Sequence, residues 1–88
     1  MRREADFFDV DELDLVYMSR RLREALKIEG LFTAAGLDYL VETGTYIGGL
    51  LIKRDLTGAF FYVAPVDVPG ARRLLRENGY RPYEPDSG

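Results

Sequence analysis

The 88-residue sequence contains no cysteine and no histidine. Without cysteine, the chain has neither disulfides nor thiolate metal ligands. Without histidine, it lacks the most frequent metal ligand and the most frequent general base. Because neither a Ser–His nor a Cys–His pair is available and no pair of buried carboxylates can be placed, we predict no catalytic residue, no metal site and no cofactor. We therefore expect a protein that is not an enzyme.

Long apolar runs are also missing. No stretch approaches the ~18 consecutive apolar residues of a membrane-spanning helix. The first six residues lack the apolar run of a secretory signal. From these two absences we expect a soluble cytoplasmic protein with no membrane partner.

The charge balance is acidic, with 12 basic and 15 acidic side chains and a net charge of −3. Proteins that bind a phosphate backbone depend on Lys and Arg to release counterions, so this balance disfavours nucleic acid. The aromatic run of residues 58–63 resembles the base-stacking strand of RNA-recognition motifs. However, Thr57 stands where that motif has Lys or Arg, and Ala59 where it has an aromatic residue. We predict no nucleic-acid partner.

The short length of the chain limits the stability that its core can provide. A chain this short forms one domain and buries only ~60–65% of the surface that its unfolded form exposes. Such a domain is marginally stable unless disulfides, a metal or a partner subunit support it. Since the composition excludes disulfides and thiolate metal sites, we expect a second copy to supply the support, as a homodimer.

The first half of the chain contains one strand followed by one helix. Residues 1–12 are acidic and predict a solvated, partly disordered lead-in. Residues 13–18 form a strand, Ser19 is a suitable N-cap, and the helix continues to residue 35. Gly36 ends the helix in the left-handed conformation, with Leu37 as its capping hydrophobic contact. The predicted buried stripe contains Leu22, Ala25, Ile28, Leu31, Phe32 and Ala35.

The second half repeats this order. Residues 59–63 are the most strand-like run in the sequence, with Phe60 and Tyr62 on one face and Phe61 and Val63 on the other. Asp67 is the predicted N-cap of a helix over residues 68–78, which Gly79 ends. Residues 81–85 can form only an edge strand, because neither proline can donate to a ladder, and residues 86–88 should fray. The predicted inward stripe of this helix contains Ala71, Leu74, Leu75 and Asn78.

Aligning Gly36 with Gly79 reveals a weak internal repeat. Two strand–helix–strand units in tandem predict a ferredoxin-like βαββαβ sandwich, an α+β fold. Its antiparallel sheet has two helices on one face, and its first and third strands lie in the middle. The single domain spans residues 13–85. The aligned pairs are Ile28 and Ala71, Leu31 and Leu74, Phe32 and Leu75, and Leu37 and Tyr80.

A glycine-rich segment connects the two halves. After a second strand around residues 39–41, the glycines of residues 44–49 predict a loop with backbone at positive φ. Residues 50–52 predict a short strand that pairs with residues 59–63 across a turn at residues 54–58. The loop is a structural bend, a partner contact or a nucleotide cradle, although Lys53 comes too late for a Walker-type loop. The candidate ligand- or partner-binding residues are Gly44, Tyr46, Ile47, Gly48, Gly49, Leu50 and Arg54.

Two basic clusters fall near the predicted helices. Both are explained as solvated helix faces whose arginines pair with Glu24, Glu29 or Glu77. A patch for an anion or an acidic partner is the alternative. The clusters are Arg20-Arg21-x-Arg23 and Arg72-Arg73-x-x-Arg76.

Three motifs carry a family resemblance: Ala25-x-x-Ile28 with Leu31-Phe32 and Ala35-Gly36-Leu37, Phe61-Tyr62-Val63-Ala64-Pro65-x-Asp67, and Ala71-x-x-Leu74-Leu75. With the glycine-bearing loop between them, they make residues 15–80 similar to the small bacterial signal-transducing domains related to the PII regulators. The resemblance implies a ferredoxin-like fold and a regulatory role, with no catalytic residues to transfer. It also implies that the regulatory loop emerges between the second and third strands.

These observations together predict a non-enzymatic regulatory or protein-interaction module. Its first and third strands are apolar on both faces although helices cover only one, so we expect self-association through the sheet. The alternative is a small-molecule or nucleotide sensor that uses residues 44–49. The identity of a protein partner does not follow from the residues.

Overall fold

The computed structural model describes residues 1–4, 7–8, 12–47 and 55–84. No helix in these ranges has both the length and the apolar character needed to cross a membrane. The elements are β1 (Asp14–Ser19), α1 (Leu22–Ala34), β2 (Leu40–Ile47), β3 (Asp55–Val63), a 3₁₀ turn (Pro65–Asp67) and α2 (Val68–Glu77).

The strands form one antiparallel sheet in the order β1-β3-β2. The prediction of an α+β fold with an antiparallel sheet is confirmed at this level. The third strand lies in the middle, as predicted, because it pairs with both of the others. Tyr17 and Tyr62 therefore lie on neighbouring strands. The first strand, also predicted to lie in the middle, is at an edge of the sheet over the described residues.

Both helices pack on the same face of this sheet. Phe61 and Val63 of β3 are fully buried there, as the alternation of the strand predicts. Burying each of these side chains contributes about 1.5–3 kcal/mol. One core cluster joins these sheet residues to both helices, so the predicted placement of both helices on one face of the sheet is confirmed. The helix residues in it are Ala25, Ile28 and Phe32 of α1, and Val68, Ala71 and Leu75 of α2.

The predicted repeat is confirmed at the helix ends. Gly36 and Gly79 have φ of 74° and 84°, and each follows the last residues of its helix. The N–H of Leu37 donates to the carbonyl of Phe32 at 3.0 Å, and the N–H of Tyr80 donates to that of Leu75 at 2.9 Å. These bonds close both helices in Schellman motifs, with Leu37 and Tyr80 packed against the core.

The helix beginnings differ from the prediction. Ser19 is the last residue of β1 rather than an N-cap, and its buried hydroxyl binds the backbone of Arg21. Helix α1 starts at Leu22, which is exposed, as is Ala35. Those two members of the predicted stripe therefore lie outside the core, because they flank the two ends of the helix instead of its middle turns.

Asp67 precedes α2 but makes no side-chain cap bond. The 3₁₀ turn before it gives Asp67 a helical backbone, with Ala64 extended and Pro65 in the first turn. The capping bond predicted for Asp67 is therefore wrong. Asn78, predicted to point inward, is exposed and donates to the carbonyl of Leu74 at 2.9 Å.

A β-bulge changes the predicted faces of β1. The register with β3 shifts between Leu15 and Tyr17, and Val16 and Tyr17 both pack against the core. In a regular strand, Tyr17 would share a face with Leu15, and Val16 would share the other face with Met18. The bulge instead leaves Leu15 and Met18 opposite Tyr62 and Phe60 of β3.

The predicted loop and turn between β2 and β3 are wrong for the residues that the structure describes. Strand β2 continues to Ile47, which pairs with Asp55, while Gly44 pairs with Gly58. Gly44 does not have positive φ, so it does not form the predicted loop backbone. Residues 59–62 pair with residues 40–43, which replaces the predicted pairing with residues 50–52. Residues 48–54 lie outside the described ranges.

The predicted edge strand at residues 81–85 is not formed over residues 81–84. The N–H of Tyr83 donates to the carbonyl of Val16 at 2.6 Å, so this segment lies beside β1. Pro82 has no N–H to extend the pairing, which accounts for a contact at one residue. Residues 85–88, including the tail predicted to fray, lie outside the described ranges.

Gly58 is glycine because another chain segment passes beside it. A Cβ at this position would lie far inside van der Waals contact with the backbone carbonyl of Ser19 and next to Arg20. We predict that Gly58→Ala lowers the free energy of unfolding by about 1–3 kcal/mol, since backbone must move. Urea denaturation measures this change.

Gly30→Ala is the matched control for this prediction. Gly30 lies in α1, and a Cβ there meets nothing within 4 Å. The substitution should raise the free energy of unfolding by about 0.5–1 kcal/mol, because alanine favours the helix. An unchanged urea midpoint for Gly58→Ala would contradict the prediction, because it would show that the Ser19 backbone moves aside without a loss of stability.

Candidate functional site

The sheet has one face that the helices do not cover, which we call the open face. Its residues lie opposite one another in two cross-strand rows, and none of them belongs to the core cluster between sheet and helices. One row contains Leu15, Tyr62 and Leu40, and the other contains Met18, Phe60 and Glu42.

The open face is mainly apolar. Glu42 is the one charged residue in its two rows, and it is exposed. Met18 is 38% exposed, whereas Phe60 is 6% exposed. Leu15, Leu40 and Tyr62 are half-buried. The apolar area that these rows present to a partner therefore lies mainly at Met18, with smaller parts of Leu15, Leu40 and Tyr62. The six residues of the two rows include no pair of groups that could carry out acid–base chemistry.

The predicted binding residues fall into two groups. Gly44, Tyr46 and Ile47 lie in β2, where Gly44 pairs with Gly58, Tyr46 with Leu56 and Ile47 with Asp55. They are therefore strand residues rather than loop residues. The remaining four, Gly48, Gly49, Leu50 and Arg54, lie outside the described ranges, so their binding role stays a prediction.

A further contact site lies at the outer edge of β2, where sequence reasoning predicted none. Arg2 forms a parallel β-bridge with Tyr39. The N–H of Arg3 donates to the carbonyl of Tyr39 at 2.7 Å, and the N–H of Tyr39 donates to the carbonyl of Met1 at 3.1 Å. The ammonium of Met1 donates to the carbonyl of Leu37. Residues 1–3 are thus attached to the domain, in contrast to the solvated lead-in that was predicted.

Charged side chains reinforce this edge contact. The Nε of Arg3 lies 2.9 Å from Oδ1 of Asp38, and Nη1 of Arg2 lies 3.7 Å from Oε1 of Glu29. The hydrogen bond from Arg3 lowers the pKa of Asp38. The Arg3 guanidinium also lies 4.3 Å from the centre of the Phe7 ring. We call residues 1–3 the edge segment, and residues 37–39 with Glu29 the edge site.

The basic clusters are only partly explained by the predicted pairs. Arg73 pairs with Glu77 at 3.4 Å, as predicted for an exposed helix face. Arg76 instead binds Glu84 at 2.8 Å, and that hydrogen bond lowers the pKa of Glu84. The Nε of Arg72 is buried and has no hydrogen-bond partner among the described residues.

Glu24 and Glu29 do not pair with the first basic cluster as predicted. Glu29 lies beside Arg2, and Glu24 accepts a hydrogen bond of 2.9 Å from the hydroxyl of Tyr17. Burial, with the bond to Glu24 as the second cause, raises the pKa of Tyr17 to about 12. The phenol therefore stays protonated at neutral pH and connects β1 to α1 as a hydrogen-bond donor.

In the ranges that the structure describes, no group of three or more acidic side chains comes together in a way that could hold a metal ion. No protein-family model, no curated protein and no solved structure matches this chain. The family resemblance therefore stays a prediction, and the functional argument rests on the open face and the edge site.

The pKa of Tyr17 generates a prediction about alkaline stability. Because the folded pKa of about 12 exceeds the ordinary value of 10.0, the folded state retains the proton that the unfolded state loses. The stabilisation is fully present below pH 10 and is lost as pH rises toward 12. At pH 8 the Tyr17→Phe variant should have a free energy of unfolding about 1 kcal/mol lower than that of the unmodified chain, because the hydrogen bond to Glu24 is lost. Between pH 8 and pH 11, however, its free energy of unfolding should fall by less than that of the unmodified chain.

Urea denaturation at the two pH values measures both chains under identical conditions. The comparison between chains removes the contributions of every other titrating group, because those groups are common to both. An equal loss in the two chains would contradict a raised Tyr17 pKa.

Proposed function

We propose that this protein is a non-enzymatic regulatory or protein-interaction module of ferredoxin-like βαββαβ fold, and that it forms a homodimer through the open face. The apolar character of that face is the observation that carries the proposal. The resemblance to signal-transducing domains related to the PII regulators supports the regulatory part of it.

Two features favour the complete ferredoxin-like topology. The strand order β1-β3-β2 agrees with it, and the helices pack on one face. In that topology a fourth strand lies beside β1, and Tyr83 donates its N–H to Val16 at that edge. We infer that residues 81–84 occupy the place of the fourth strand without its full ladder.

A second copy is an occupant that suits the open face. In a contact with twofold symmetry, each face meets the same residues on the partner, so apolar rows meet apolar rows. Glu42 stands at the end of its row on β2, an outer strand of the sheet, where a charge can remain in water at the rim. The pattern of an apolar centre and a charged margin is typical of protein interfaces.

The size of the face limits the strength of the dimer. Three strands about 4.8 Å apart, each contributing about four residues, give an area on the order of 200 Å². A standard interface buries about 800 Å² per partner. We therefore expect reversible association with an affinity in the micromolar range or weaker, unless other parts of the chain add to the contact.

The alternative, a small-molecule or nucleotide sensor using residues 44–49, has less support. The first four of these residues belong to a paired strand, where alternate residues bond to β3 and the backbone is extended rather than curved around a phosphate. Gly48 and Gly49 retain this role only as a prediction.

Sedimentation velocity over a wide range of protein concentration tests the proposed dimer. Met18→Lys places a charge on the exposed part of the open face, and it should raise the dimer Kd at least ~10-fold, equivalent to about 1.4 kcal/mol. Met18 is already partly exposed, so the monomer should remain folded.

Leu26→Lys is the matched control. Leu26 is 58% exposed on α1, on the opposite side of the sheet from the open face. It introduces the same side chain and should leave the Kd unchanged. A chain that stays monomeric at every concentration, or an equal effect of both substitutions, would refute dimerisation through the open face.

A further inference from the structure

The edge segment is unusual in its direction and its length. It runs parallel to β2 in a sheet that is otherwise antiparallel, and its bridge involves a single residue pair, Arg2 with Tyr39. Two backbone hydrogen bonds at Tyr39 and the bond from the Met1 ammonium to Leu37 hold the segment. The side-chain contacts of Arg2 and Arg3 add to these bonds.

The two arginines contact two acids from different elements. Arg3 binds Asp38 at 2.9 Å on the connection before β2, while Arg2 lies 3.7 Å from Glu29 on α1. Backbone bonds at Tyr39 lie between these two pairs. Consecutive residues of an extended chain point to opposite sides, so two adjacent arginines reach the two acids without a bend.

We propose that the edge site is a binding site for an extended peptide segment with two adjacent arginines, and that residues 1–3 fill it in cis. A partner segment of the same chemistry binds by adding a parallel strand to the edge of β2. Its backbone bonds to Tyr39 supply affinity for any extended chain. Asp38 and Glu29 supply the preference for arginine.

The exposure of the contacts makes the edge segment replaceable. The Arg2 side chain is 55% exposed and the Asp38 side chain is 35% exposed. Ion pairs this accessible to water contribute little and weaken further with salt. The segment persists because it belongs to the same chain, which gives it an effective concentration on the order of mM. A partner segment must therefore outcompete a weak but permanently present competitor.

The edge site is separate from the open face. The strand edge carries the backbone groups of Tyr39, whereas the open face carries the side chains of Leu40 and its neighbours. The proposed peptide site therefore does not depend on the proposed dimer. An experiment that refutes dimerisation through the open face does not refute peptide binding at the edge site.

Fluorescence anisotropy with a synthetic peptide of residues 1–5, with its amino end free and a label at its carboxyl end, tests the proposal, because the Met1 ammonium is one of the contacts at the edge site. The full chain carrying Arg2→Ala and Arg3→Ala leaves the edge site without its own arginines. We expect this double variant to bind the peptide about two- to fivefold more tightly than the unmodified chain at low salt, because the loss of two exposed ion pairs weakens cis competition. A peptide with both arginines replaced by alanine should bind the double variant about two- to fivefold more weakly than the arginine peptide does.

Two additions to the double variant test the acids. Asp38→Asn should weaken peptide binding about two- to fivefold at low salt, since it removes the charge that Arg3 contacts. Asp14→Asn removes the same charge from β1, at the opposite edge of the sheet from β2, and should leave binding unchanged. Thermal unfolding of each variant shows that it is folded. If the double variant does not fold, Arg3→Ala alone provides the same comparison.

The proposal is overturned by either of two results with folded variants. One is equal affinity of the unmodified chain and the arginine variant for the peptide. The other is equal loss of binding with Asp38→Asn and Asp14→Asn, which would show attraction to overall negative charge instead of recognition at the edge site.

Discussion

The fold depends on the packing of one ring, Phe61, in the middle of the central strand. It is fully buried, and its centroid lies 6.4 Å from Tyr17 on β1, 5.9 Å from Phe32 on α1 and 6.2 Å from Tyr39 beside β2. Because these rings come from three elements, one side chain connects both neighbouring segments of the sheet to the first helix. Ring pairs at such distances add about 0.5–1.5 kcal/mol each beyond the burial of their area. In a chain with no cysteine, these ring contacts act together with the hydrogen-bonded ladders on both sides of β3 to hold it between its neighbours.

Placing β3 in the middle leaves the sheet with two edges and one face that the helices do not cover. Exposed edges invite pairing with other chains, and short segments are one way in which proteins limit this. Here one edge is contacted at Tyr39 by the edge segment and the other at Val16 by Tyr83. Among the described residues, each contact is short, and it pairs no more than one residue of each edge in a bridge or backbone bond with the neighbouring segment. The open face, by contrast, extends over all three strands, which is why dimerisation is assigned to the face and peptide binding to the edge.

Residue patterns predict the local parts of this structure and miss those that depend on distant contacts. The helical stripe and the stop glycines identify Ile28, Phe32 and Gly36 correctly, because spacing and positive φ are properties of a short segment. Gly44 was assigned to a loop because glycine permits one, yet pairing with Gly58 keeps it extended. The bonds from Arg3 to Asp38 and Tyr39 have no local signal, since they join residues far apart in the sequence. The open face was anticipated through Phe60 and Tyr62, but the bulge that assigns Leu15 and Met18 to it was not.

The edge site owes its shape to the core rather than to a loop. Tyr39, which provides the backbone bonds, is 1% exposed, and its ring packs 5.4 Å from that of Phe32. Its hydroxyl bonds the Thr33 hydroxyl at 3.0 Å and the carbonyl of Glu29 at 3.2 Å. Glu29 is also the residue that faces Arg2, so the same core contacts position the backbone acceptor and one of the acids. A segment that binds here therefore loses only its own conformational entropy, because the edge site is already held in place. The lower entropy cost of binding allows so short a pairing to form.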